Sequence, residues 1–277
     1  MWMIRKYYHW LHGKWPAGTV EKLPHVGQQG QTNVPGLRIV GDLSGVPLLK
    51  FSSETGVQAI RGILAEPGFP QARQEKQPGV YDVAIIGAGV SGLSAAMEAQ
   101  RAGLRYILIE TAQPFNTIEN FPRGKRIFTY PTDMTPSGGI QYNEQSKLRE
   151  TLLTDLQRQV TEIEITEGNI THIERKGNLM HVVHATARGE RPEITTALRT
   201  IVAIGRSGNY RTLGIPGEER DKVANRLHDP KDYSDQQVVV VGGGDSAAEA
   251  AIALTSCGAD VTLSYRKPEL TLSLIHI

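Results

Sequence analysis

The chain carries one plan twice, and that repeat restricts its fold more than any other feature. Residues 81–110 read YDVAIIGAGVSGLSAAMEAQRAGLRYILIE: an apolar run, a glycine-rich turn, a helix-forming stretch ending at Gly103, and a second apolar run closed by an acid. Residues 236–267, QQVVVVGGGDSAAEAAIALTSCGADVTLSYRK, repeat it. A shift of 155 residues carries Gly87 onto Gly242, Gly89 onto Gly244, Gly92 onto Ala247 and Gly103 onto Gly258 without a gap. Short apolar runs without polar alternation mark strands buried on both faces, and strands alternating with helices imply a parallel sheet. The expectation is an α/β protein with two dinucleotide-binding units.

The turns carry the chemistry. A lone G-x-G-x-x-G is a weak signal, but Gly87, Gly89 and Gly92 follow a strand, open a helix and precede Glu110 at the end of the next strand. The first glycine permits the tight turn, the second lets backbone approach a pyrophosphate, and the third lets helix and strand pack closely. The helix start, with Ala88 and Ser91 beside it, offers unpaired N–H groups and partial positive charge to phosphates. Glu110 can accept both hydroxyl protons of a ribose, so this first site suits an adenosine with a free 2′-hydroxyl. In the second unit Gly242, Gly244, Asp245, Ser246 and Ala247 form the equivalent turn. The position of Glu110 is taken there by Tyr265, followed by Arg266 and Lys267. A carboxylate would repel a 2′-phosphate and an arginine accommodates one, so the second site is expected to prefer NADPH. The plainer alternative is that Arg266 and Lys267 are ordinary solvated charges after a strand.

Composition sets outer bounds. Of 277 residues, 39% are hydrophobic and 21% charged, enough for a normal core, and a net charge of +1 gives no reason to propose a nucleic-acid partner. No apolar run is long enough for a membrane span. One cysteine excludes an internal disulfide framework and fits a reducing, cytoplasmic setting. That residue, Cys257, precedes Gly258 at the expected end of a helix. There a thiolate is disfavoured, and a small buried core residue is the expectation. The histidines show no metal-ligand spacing, so no metal is expected.

Elsewhere the signals are coarser. EPGFPQARQEKQPG (66–79) reads as a linker, LRIV (37–40) as a short buried strand, and SSETGVQAIRGIL as a helix capped by Ser52 or Ser53. Short alternating runs over 160–204 read as a small β-meander followed by a returning strand, IVAIG.

Taken as a set, the glycines, Glu110, IVAIG at 201–205 and VVVVGGGDSAAEA resemble the flavoproteins with two dinucleotide-binding domains, over about residues 79–270. IENFPRGKRIFTYPTDMT (118–135) resembles the flavin-side loop of bacillithiol disulfide reductase-like proteins, and VGGGDSAAEA the NADPH turn of thioredoxin reductase. The resemblance implies FAD in the first unit and NAD(P)H in the second. It also has a departure. Thioredoxin reductase carries a Cys-x-x-Cys pair just before its NADPH turn. Here that region is NRLHDPKDYSDQQ, without cysteine, so dithiol exchange is not inherited. His228 stands in that region, either as a proton donor or as a hinge residue between the units.

TNVPGLRIVGD (32–42) resembles a phrase that in this family stands near the end of the chain and passes the flavin ribityl group. The phrase implies that Gly41 and Asp42 are FAD-binding residues and that the following helix points its N-terminus at the flavin. Its early position suggests circular permutation.

The expected architecture is therefore α/β: a Rossmann-like FAD-binding domain with a β-meander, plus the first βαβ unit of a second, Rossmann-like NAD(P)-binding domain. Residues 1–19 form an aromatic segment, 20–65 the permuted final segment, 66–79 a linker, 80–225 the FAD domain and 226–271 a partial NADPH domain. The last six residues, LSLIHI (272–277), match the translation of a transposase-adapter sequence from DNA library preparation; they are expected to be a sequencing scar or, alternatively, a genuine apolar strand. The expected function is an FAD-dependent oxidoreductase that takes a hydride from NADPH and passes electrons to a small-molecule or protein acceptor, with a homodimer left open. A flavin monooxygenase-like enzyme and a non-enzymatic nucleotide-binding module are the alternatives.

Overall fold

A computed structural model describes residues 24–45, 48–129, 131, 133–143, 145, 147–185, 192–206, 212–268 and 270. The aromatic segment 1–19 and the terminal 272–277 lie outside the described residues. The chain divides into two compact units at Arg226/Leu227.

The larger unit is built on one seven-stranded sheet. Strands β2 (Tyr81–Ile86), β3 (Tyr106–Glu110) and β4 (Thr166–Glu167) pair in parallel, and β7 (Glu193–Val202) pairs with β2, also in parallel. Antiparallel β6 (Leu179–Ala185) and β5 (Asn169–Lys176) extend from the first half of β7, while β1 (Leu37–Ile39) runs parallel to its second half. The side-chain period of two sorts β2 between faces. Val83 and Ile85 join a large core formed with the helices α1 (Leu49–Leu64), α3 (Val90–Arg101), α4 (Asn116–Glu119) and α5 (Arg149–Gln159). Ala84 and Ile86 join a smaller core with Val182, Ile170 and Ile173 of the meander. Both faces of the sheet are covered, which is why its central strand tolerates no polar alternation.

Three elements differ from the sequence reading. Helix α1 begins at Leu49 with Leu48 as N-cap, so Ser52 and Ser53 lie inside it and cap nothing. Ser53 finds other partners instead, its hydroxyl lying 3.2 Å from the Leu49 carbonyl one turn back and 2.5 Å from the Tyr142 hydroxyl, either of which its single proton can serve. The expected linker 66–79 contains a helix, α2 (Phe69–Glu75), because Phe69 buries its ring. Arg73 and Lys76 then reach the fully buried Asp82, which also accepts the Arg105 N–H at 2.8 Å. The returning strand starts earlier than expected, as the ten-residue β7 whose first half completes the meander against β6, and the first of the expected meander runs, residues 161–168, contributes only the two residues of β4 on the far side of the sheet.

The smaller unit contains β8 (Gln237–Val241) and β9 (Asp260–Ser264), parallel and joined by α6 (Asp245–Ser256). Cys257 is the C-cap of α6 and is half-buried, not a fully buried core residue, since α6 buries only Leu254.

Candidate functional site: two glycine turns

In the larger unit the turn is held by close backbone contact. Gly87 has φ +99°, a left-handed conformation, and a Cβ there would stand 2.6 Å from the Ala203 carbonyl oxygen. A Cβ on Gly92 would stand 1.9 Å from the Gly87 carbonyl oxygen, so the helix can seat against the turn only with glycine. Gly89 is the N-cap of α3 and carries no side-chain cap, which leaves the first N–H groups of the helix directed outward beside Val90 and Ser91.

Glu110 ends β3 and folds back over the turn. Its carboxylate accepts the Ala88 N–H at 2.6 Å, and those of Thr111 and Ala112 at 3.0 and 2.9 Å. A carboxylate has about four lone-pair sites, so capacity remains for a hydroxyl. The Ala88 carbonyl is held from the other side by the Phe115 N–H at 2.9 Å. Phe115 reaches it by adopting φ 55° with its ring buried, an uncommon conformation for a bulky residue. The sequence reading missed Phe115, because nothing local marks a phenylalanine for left-handed backbone.

Residues 37–64 pack beside this turn. Val40 donates its N–H to the Val202 carbonyl at 3.0 Å, and the Gly41 N–H is taken by the Thr55 hydroxyl at 2.9 Å. Gly41, at φ +74°, would place a Cβ 2.5 Å from the Ser91 hydroxyl oxygen. Gly56 of α1 would place one 2.1 Å from the Ser91 carbonyl oxygen. Ser91 therefore meets both the Gly41–Asp42 corner and the crossing of α1 with α3. Asp42 Oδ1 is buried and has no hydrogen-bond partner in the structure. Burial pushes the Asp42 carboxyl above its usual range, while the Arg206 guanidinium beside it pulls it back. A buried acceptor without a donor, beside a turn in which every close approach demands glycine, fits a ligand that brings hydroxyl groups and phosphates.

Segment 131–142 is stitched along α1. Lys50, almost fully buried, donates to the Pro131 carbonyl (2.9 Å), and Tyr142 donates to the Leu49 carbonyl (2.9 Å). Glu54 accepts the Ser137 N–H (2.8 Å) and hydroxyl (2.9 Å).

In the smaller unit Gly242, at φ +149°, leads into Gly243 and Gly244, the last being the N-cap of α6. A Cβ on Gly243 would strike the Tyr265 ring at 2.4 Å, so the tyrosine covers its turn where Glu110 bonds to the corresponding one. Asp245 and Ser246 lie in the first turn of α6, and Ala247 packs its methyl against Gly242. Arg266 and Lys267 are exposed beyond β9, and His228 is exposed near the start of this unit. Among the described residues no cluster could hold a metal ion, and no helix is long and apolar enough to cross a membrane.

A parallel sheet with a meander and two strand–glycine turn–helix units is the architecture of Rossmann-like α/β proteins. More narrowly, the chain belongs to the pyridine nucleotide-disulphide oxidoreductase family, which matches residues 84–273. It is 31% identical over 200 residues to the thioredoxin reductase of Treponema pallidum, covering 69% of this chain and 57% of that protein. It is 30% identical over 188 residues to the ferredoxin–NADP reductase of Ignicoccus hospitalis, covering 68% and 57%. Among solved structures it is similar to the bacillithiol disulfide reductase of Bacillus cereus, with a TM-score of 0.58 and 30% identity over 69% of this chain and 60% of that one. The chain thus spans less than two thirds of the length of these relatives.

Proposed function

We propose that the protein is an NADPH-dependent flavoprotein reductase whose larger unit holds FAD. The observation that carries this reading is the convergence of Glu110, Asp42 and the N-terminus of α3 on one glycine turn. Glu110 would take the adenosine ribose hydroxyls, the N–H groups at the start of α3 the pyrophosphate, and Asp42 Oδ1 a ribityl hydroxyl. Bound FAD would supply the redox chemistry, hydride acceptance from NADPH and onward electron transfer. The N-terminus of α1 would favour the negative charge that reduction places on a flavin.

In this reading residues 20–65 are the flavin domain's closing segment, moved to the front of the chain. Its support is the pairing of β1 with β7 and the contact of Gly41 and Gly56 with Ser91. The smaller unit would take NADPH, with Arg266 and Lys267 at the 2′-phosphate. The acceptor would be a disulfide, a small molecule or a redox protein, reached without a dithiol of this chain, since Cys257 is its single cysteine and caps a helix end. The relatives and similar structures include a thioredoxin reductase, a ferredoxin–NADP reductase and a bacillithiol disulfide reductase, which supports the disulfide and redox-protein acceptors among these three.

The test uses protein made from the complete reading frame. NADPH added without oxygen should bleach the flavin absorbance. Arg266→Ala with Lys267→Ala should slow NADPH-driven reduction by about 1.5–3 kcal/mol, roughly tenfold or more, and leave NADH-driven reduction nearly unchanged. Absence of bleaching by either nucleotide contradicts the reductase. Equal losses with both nucleotides contradict the 2′-phosphate role.

A further inference from the structure

We propose that Arg206 is a phosphate-reading residue of the flavin site, and that it makes the site prefer FAD to riboflavin. The proposal rests on the flavin reading above. Beyond Val202 the chain leaves β7 and runs along the glycine turn: Ala203 donates its N–H to the Ile86 carbonyl at 2.7 Å, and a Cβ on Gly87 would lie 3.2 Å from the Ile204 nitrogen. Gly205, at φ +63°, then turns the backbone. The residue it delivers is Arg206, which is exposed and close enough to Asp42 to act on its charge. The end of β7 therefore delivers a base, and the N-terminal segment an acid, to the neighbourhood of the same turn.

Their chemistry divides a flavin nucleotide between them. An ionised carboxylate only accepts hydrogen bonds, so Asp42 suits a polyol hydroxyl and repels phosphate. The start of α3 offers donors, but only about half a positive charge. A diphosphate brings about two negative charges, and a guanidinium adds a full positive charge in a fork that matches phosphate oxygens. Nothing in the glycine pattern calls for an arginine here. The residue is identified by where Gly205 turns the chain.

FAD and riboflavin share the ribityl chain, but only FAD carries phosphate. Each should be titrated separately, by quenching of flavin fluorescence, into the wild-type protein and into Arg206→Gln, Arg206→Lys and Asp42→Ala. Arg206→Gln should weaken FAD about tenfold to a hundredfold and leave riboflavin unchanged. Arg206→Lys should fall between wild type and Gln, and Asp42→Ala should weaken both flavins alike. If Arg206→Gln binds FAD as the wild type does, or loses both flavins by the same factor, the phosphate role is overturned while the flavin site stands. A wild-type protein that takes up neither flavin overturns the flavin reading, and this proposal with it.

Discussion

Gly56 shows how a single hydrogen atom decides a helix crossing. Alanine is about 1 kcal/mol better than glycine inside a helix. At this position, however, its methyl would lie 2.1 Å from the Ser91 carbonyl oxygen and 3.1 Å from the Ala95 nitrogen, both backbone atoms that cannot rotate aside. Parting α1 from α3 costs about 1–3 kcal/mol, more than the propensity gain, so Gly56→Ala should be destabilised in urea unfolding. An unchanged or raised midpoint contradicts this crossing. Asp42 makes the opposite trade. Burial raises its carboxyl above the ordinary 3.8, so the folded state binds the proton more tightly than the unfolded chain. Stability from this group is greatest at low pH and is lost as the pH rises from 3.8 through the raised folded value. Asp42→Asn should therefore be more stable than wild type near neutral pH, with the advantage shrinking as the pH falls toward about 3.8. A difference that does not change with pH contradicts this. Gly87, Gly92 and Glu110 are legible from sequence because they fall within one continuous strand–turn–helix–strand stretch. Phe115 and Arg206 are not, since each acquires its place from contacts remote in the chain.

At the scale of elements, an ion network ties the early segment to the sheet. Arg38 of β1 is 2% exposed; its guanidinium donates to the Gln29 carbonyl (2.8 Å) and to Glu66 (2.6 Å) just past α1. The second oxygen of Glu66 takes Arg199 of β7, also at 2.6 Å. Removing one partner from a buried pair leaves a charge uncompensated, typically a loss of 3–5 kcal/mol. Glu66 is 26% exposed, so Glu66→Gln should cost about 3 kcal/mol, the low end of that range, in urea unfolding. In an Arg38→Met background the same change should cost less; equal costs in both backgrounds contradict the coupling. The sequence made 66–79 a linker because its prolines and glycines dominate the local signal. What orders it is tertiary: the buried ring of Phe69 and the grip of Arg73 and Lys76 on Asp82. The start of α1 was misplaced for a related reason. Serine is the usual cap, but Ser53 finds its partners in the Leu49 carbonyl one turn back and the Tyr142 hydroxyl of the loop packed along the helix.

For the whole molecule, order along the chain and order in space differ. Residues 37–64 precede the glycine-turn unit in sequence, yet β1 pairs with the last strand of that unit and α1 crosses its first helix. In the proposed reading this is the flavin domain's closing segment moved forward, a change that a domain whose ends lie close together tolerates. The repeat at a spacing of 155 residues made the two units legible at once, since each is a local strand–turn–helix–strand pattern. The position of the early segment was legible only through its resemblance to a closing phrase. The central claim is that this segment and the Gly87 turn together make one FAD site, and the most direct measurement is the flavin content of the purified protein. The absorbance spectrum and the cofactor released by heat should give one FAD per chain, with no FMN. In Asp42→Ala, purified identically and still folded by circular dichroism, the FAD should be largely lost. A wild-type preparation that is colourless and takes up no added FAD, or an Asp42→Ala protein that retains its full complement, would contradict it.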